Sequence, residues 1–114
     1  MSIQSFKELI VWQKSMDVAT YAYDICNKLP QQESYGIISQ IQRSAVSIPS
    51  NIAEGQQRNS PKEFKQFLGI ARGSAAELET QLLLVAKVYS IDTSSCLRTL
   101  EEVQKMLSVL QSKL

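Results

Sequence analysis

Apolar residues recur along this chain at alternating steps of three and four, the spacing of one face of an α-helix, over four separate stretches. The first stretch predicts a helix from Phe6 or Lys7 to Lys28. It ends at the Leu29-Pro30 step, because a residue before proline is driven out of helical geometry. Leu9, Trp12, Met16, Ala19, Tyr23 and Cys26 form its seam, and Val11, Val18, Ala22, Ile25 and Leu29 a second row beside it. Together the rows are wider than one packing contact needs, so burial against two neighbours is expected, one of them from another subunit.

The second helix is predicted to start near Glu33 or Ser34 and to run to about Gln57, with Ile38, Ile41, Ala45, Ile48 and Ile52 as its seam. Pro49 lies inside it, where proline removes one backbone donor at a cost of about 3 kcal/mol in a straight helix. A kinked helix and a break at Ser47-Ile48 are the alternatives. The kink is preferred because the pattern keeps its phase across Pro49, with Ser47 and Ser50 placed to satisfy the freed backbone groups. Ser60, Pro61 and Glu63 then occupy the N-cap, first-turn and reciprocal capping-box positions of a third helix that reaches about Tyr89. Its seam is Phe64, Phe67, Ala71, Ala75, Leu78, Leu82, Val85 and Tyr89, and Gly73–Ala76 is a small-residue patch where a partner backbone can come close. Asp92 or Thr93 caps a fourth helix, buried along Leu100, Leu107 and Leu114. Short loops between four amphipathic helices make an antiparallel up-down-up-down four-helix bundle the expected fold, with residues 1–114 as one domain.

The second helix carries a further pattern. Arg43, Ser47, Asn51, Glu54 and Arg58 step along the side opposite the seam. Three readings compete: a solvated face, a structural network joining Arg43, Ser47, Asn51 and Glu54 to Glu77 or Arg72 on the third helix, and an anion-binding surface. Serine and asparagine are mediocre helix formers, which argues against mere solvation. Between Arg43 and Arg72 the basic residues Arg43, Arg58, Lys62, Lys65 and Arg72 outnumber Glu54 and Glu63, a local excess that a ring of subunits would multiply into a candidate RNA or partner surface.

Charge and composition narrow the functional classes without naming one. The net charge is +1 and the pI about 7.7, so bulk electrostatics selects no partner. The chain has no histidine, which removes the commonest general base and most transition-metal sites. Glu77 and Glu79 point to different sides of a helix, and no glycine-rich phosphate loop follows a strand. Cys26 and Cys96 fit buried cytosolic thiols better than a disulfide or zinc framework. The first residues show no secretory signal, and no apolar run is long enough for a bilayer. The expectation is a soluble cytoplasmic protein that is not an enzyme, with no catalytic residues, cofactor, metal, membrane or small-molecule substrate.

Three segments carry a resemblance. Leu9-Ile-Val-Trp12-Gln-Lys-Ser-Met16-Asp17 with Tyr35-Gly36, the run from Gln40 to Gly55 containing Ser-Ile-Pro-Ser-Asn-Ile-Ala-Glu-Gly, and Phe67 to Leu78 are similar to the bacterial four-helix-bundle proteins called the 23S rRNA intervening-sequence protein family. The resemblance covers about Phe6 to Tyr89, and the fourth helix matches by pattern only. It implies an antiparallel bundle that assembles into a ring-like homopentamer, and it brings no established catalytic residues. The family's name refers to genes lying in insertions within ribosomal RNA. A related bundle is the accessory protein of diversity-generating retroelements, a basic pentamer that contacts reverse transcriptase and nucleic acid; this near-neutral chain departs from it in charge. Two functions follow as expectations: an oligomeric scaffold associated with RNA or a nucleic-acid-binding protein, or a protein-interaction module whose polar row is purely structural.

Overall fold

The computed structural model describes residues 5–114; the reading of the chain start as free of a signal falls partly on Met1–Gln4, outside them. Four α-helices follow one another: α1 (Ile10–Cys26), α2 (Ile37–Gln57), α3 (Pro61–Tyr89) and α4 (Ser94–Ser112). Side-chain contacts give their directions. Rising along α2, Ser44, Ser47 and Gly55 meet Gln81, Ser74 and Phe67 of α3 in descending order. Lys14 and Val18 of α1 meet Glu102 and Cys96 of α4, and Arg72 and Glu79 of α3 meet Gln111 and Gln104. Each of these pairs is antiparallel, and α1 and α2 must then be antiparallel too. Packing runs around the square, α1 with α2 and α4, α3 with α2 and α4, and the longest interface is between α2 and α3. With 29 residues, α3 rises about 43 Å at about 1.5 Å per residue, close to the 46 Å long axis of the molecule.

The core is aliphatic. Ile41, Ile48 and Ile52 of α2 close completely against Leu68, Leu78 and Leu82 of α3 and Leu100, Val103 and Leu107 of α4. Burying each such side chain stabilises by about 1.5–3 kcal/mol relative to exposure. On α1 the emphasis differs from the pattern-based expectation. Val11, Val18, Ala22, Ile25 and Leu29 are buried, whereas Met16 and Tyr23 of the expected seam stay about two-fifths exposed. Ser15 explains the shift: it lies between Val11 and Val18 on the core face, and its hydroxyl is satisfied by the Trp12 carbonyl at 2.7 Å.

Two helix starts also move. Ser5 and Glu8 make a capping box around the 3-10 turn Phe6–Glu8, but Leu9 is extended, so α1 begins at Ile10. Likewise Gln31–Glu33 form a 3-10 turn pinned by a hydrogen bond from the Tyr89 hydroxyl to Glu33, and α2 begins after Gly36. The α2 helix passes through Pro49 without a break. Ser47 does not serve the carbonyl that Pro49 leaves without a donor, because its hydroxyl is committed to Ser74 of α3. At the start of α3, Ser60 Oγ accepts from Glu63 N at 3.1 Å, and Pro61 opens the helix as its fixed φ allows.

Candidate functional site

Small side chains let α2 and α3 approach closely: Ser44, Ala45 and Gly55 are buried on one helix, Ala71, Ser74 and Ala75 on the other. Hydroxyls in such a seam must be paired, since an unpaired buried polar group costs about 1–3 kcal/mol. Ser47 Oγ and Ser74 Oγ lie 2.8 Å apart, and Asn51 Nδ2 donates to Ser47 Oγ at 2.9 Å and to the Ser47 carbonyl at 2.8 Å. One turn away, Ser44 Oγ donates either to Gln81 Oε1 at 2.7 Å or to the Ile41 carbonyl at 3.2 Å.

Above these bonds the two helices part into a polar cleft of about 290 Å³, lined by Gln40, Arg43, Ser44 and Ser47 on α2 and by Ser74, Glu77 and Gln81 on α3. Arg43 and Glu77 are exposed, and neither takes part in an ion pair or side-chain hydrogen bond among the described residues. The polar row of α2 is thus divided. Ser47 and Asn51 are tied to α3, Glu54 and Arg58 pair with each other at 2.9 Å on the surface, and Arg43 faces Glu77 across the cleft without touching it.

The basic residues divide as well. Arg58 stacks over the Phe67 ring, 5.0 Å from its centroid. Lys62 and Lys65 are exposed on the first turns of α3, and Gln111 of α4 donates to the Lys65 carbonyl at 3.0 Å. Arg72 turns to the α4 side, donating to Gln111 Oε1 at 2.8 Å. Arg43 lies in the α2–α3 cleft, away from the other four. Antiparallel packing brings the exposed Lys7 and Lys113 to the same end of the bundle as Arg58, Lys62 and Lys65.

Sequence reasoning missed Ser44, Ser74 and Gln81 as cleft residues. The signal was present: Ser74, Glu77 and Gln81 step by three and four on α3, the counterpart of the polar row on α2. What the cleft offers is hydrogen bonding of both senses and one charge of each sign. Its hydroxyls touch other hydroxyls, amides and carbonyls, with no titrating base in hydrogen-bond contact among the described residues. The two thiols are elsewhere, in the core, where burial pushes Cys26 up to about 11 and Cys96 up to about 12, Cys96 also through its proximity to Cys26. Neither is a thiolate at neutral pH. Among the described residues no cluster of three or more histidine, cysteine or acidic side chains could hold a metal, and no helix is long and apolar enough to cross a membrane.

This architecture defines a four-helix-bundle protein with a polar α2–α3 seam. Residues 7–112 match the model of the 23S rRNA-intervening sequence protein family, and the chain belongs to that family. A solved structure described as a protein with unknown function from the S23 ribosomal protein family of Bacteroides thetaiotaomicron VPI-5482 is similar over 89% of this chain and 98% of its own, with 30% identity and a TM-score of 0.80. Comparison with curated proteins gave no match.

Proposed function

We propose that this chain is a cytoplasmic, non-enzymatic building block of a homo-oligomeric scaffold, a ring-like pentamer, that associates with RNA or a ribonucleoprotein through one end of the bundle. The observation that carries this reading is the convergence of Arg58, Lys62 and Lys65 with Lys113 and Lys7 at the end where α2 turns into α3. From residue 58 to residue 72 there are four cations and one carboxylate, Glu63. Each subunit brings only a weak patch, and a ring repeats it, so avidity supplies what the near-neutral chain lacks. Backbone phosphates are the ligand such a patch suits, since lysines and arginines at this spacing read charge rather than sequence.

Binding to a structured RNA is therefore expected at low salt and should weaken linearly in log–log form as salt rises. Replacing Arg58, Lys62 and Lys65 together by glutamine should flatten that slope by about one unit for each lost phosphate contact. No binding at low ionic strength, or an unchanged slope in the triple variant, would overturn the reading. A second reading, a protein-interaction module, draws on the Ser47–Asn51–Ser74 network, which ties Ser47 and Asn51 of the polar row to structure.

A further inference from the structure

We infer that the cleft between α2 and α3 binds a small zwitterion of the amino-acid type bearing an apolar side chain. Arg43 and Glu77 reach the same cleft from opposite walls, opposite in charge and unpaired, both with each other and with every other described residue. The space between them is wider than an ion pair and suits a ligand that carries its own carboxylate and ammonium. An anion alone would meet the Glu77 carboxylate, and a cation alone the Arg43 guanidinium. A zwitterion satisfies both.

The floor is already ordered for such a guest. When Ser44 Oγ gives its proton to Gln81 Oε1, at 2.7 Å the shorter of its two contacts, the amide is oriented so that its NH2 group, with no acceptor among the described residues, adds donors to those of Arg43. The Ser47–Ser74 pair fixes the neighbouring hydroxyls in the same way. A volume of about 290 Å³ leaves ample room for the charged head of an amino acid between the two walls.

The side-chain preference comes from next door. Gln40, Glu77 and Gln81 also border an adjoining depression completed by Ile37, Gly73, Ala76, Thr80 and Leu84, and Leu84 is half exposed there. A ligand with its charged head between Arg43 and Glu77 would lay an aliphatic side chain on that shelf.

The test is a calorimetric or NMR titration of the full chain with leucine, glycine, N-acetylleucine and leucinamide. Leucine should saturate, about tenfold more tightly than glycine or either singly blocked analogue, each of which loses one contact worth about a factor of ten. Arg43→Gln and Glu77→Gln should each weaken leucine by about the same factor; both side chains are exposed and unbonded, so the variants fold as the parent does, checked by circular dichroism. Lys65→Gln should leave leucine binding unchanged while weakening RNA, which separates this site from the phosphate surface. Absence of saturation below about 10 mM leucine, equal binding of N-acetylleucine or leucinamide, or Glu77→Gln binding like the parent would each overturn the proposal.

Discussion

Gly55 has no room for a side chain, because a Cβ there would stand 2.7 Å from Phe67 Cβ and 3.0 Å from Phe64 Cδ1. Phe67 Cβ is the root of its side chain and cannot swing away without moving α3. The close approach expected at Gly73–Ala76 falls on Ser74 and Ala75, which are buried against α2, and a second one lies at Gly55, while Gly73 itself is open, with nothing within 4 Å of its added Cβ. Two effects then compete at each glycine. Alanine gains about 1 kcal/mol of helix propensity at either position, whereas overpacking costs about 1–3 kcal/mol and applies only at Gly55. Gly73→Ala should therefore raise the free energy of unfolding, by up to about 1 kcal/mol, and Gly55→Ala should lower it. Urea denaturation of the two variants side by side checks both signs.

At the scale of the helices, the polar row of α2 does two separable jobs, and stability should distinguish them. Ser74→Ala removes one of the two side-chain partners of the half-buried Ser47 hydroxyl, the one on α3, and should destabilise by about 1 kcal/mol. Arg43→Ala removes an exposed side chain without a bonded partner and should stay within about 0.5 kcal/mol of the parent. Equal losses in thermal or urea unfolding would mean that Arg43 is structural after all. The helices themselves were legible from spacing, and α3 started at its Ser60-Pro61 signal because capping is local chemistry. Leu9 was not legible as a break because it sits in apolar-periodic surroundings, and the 3-10 turns before Leu9 and Gly36 arise from capping bonds and from Tyr89 reaching Glu33, 56 residues away in sequence. The α1 core row was misjudged for a related reason. Ser15 interrupts the apolar pattern on the true inner face, and its hydroxyl is hidden by a backbone bond that the pattern does not reveal. Of the polar row, its position on one side of α2 was legible. Its division into bonded, surface-paired and cleft-lining members depends on what α3 presents opposite each residue.

At the scale of the whole molecule, the bundle leaves apolar surface uncovered at several places besides the Leu84 shelf, and two of them lie on different faces. At one, Ile10 and Val109 are 53% and 54% exposed beside a groove floored by Leu9, Met106 and Leu110, between the start of α1 and the end of α4. At the other, on the α3–α4 side, Leu83 is 52% exposed next to Leu97. Unlike patches on different faces are what a head-to-tail ring requires, since each subunit meets its two neighbours through different surfaces. If these two patches meet across the ring contact, Val109→Glu and Leu83→Glu each destroy one half of every interface, and each variant alone should run at the 12.8 kDa of a single chain. Mixed together they retain one intact combination, the Leu83 surface of the first variant against the Val109 groove of the second, and should form a heterodimer that cannot extend. An isologous contact behaves differently, because a substitution in a self-complementary patch is met by an unaltered patch in neither variant's own dimer. Light scattering coupled to size exclusion, on the parent, the two variants and their mixture, reads all of these states. The ring predicts five times the chain mass for the parent and twice the chain mass for the mixture; a parent that is monomeric at micromolar concentration refutes the ring, and variants that keep the parent's mass refute these two patches as its contacts.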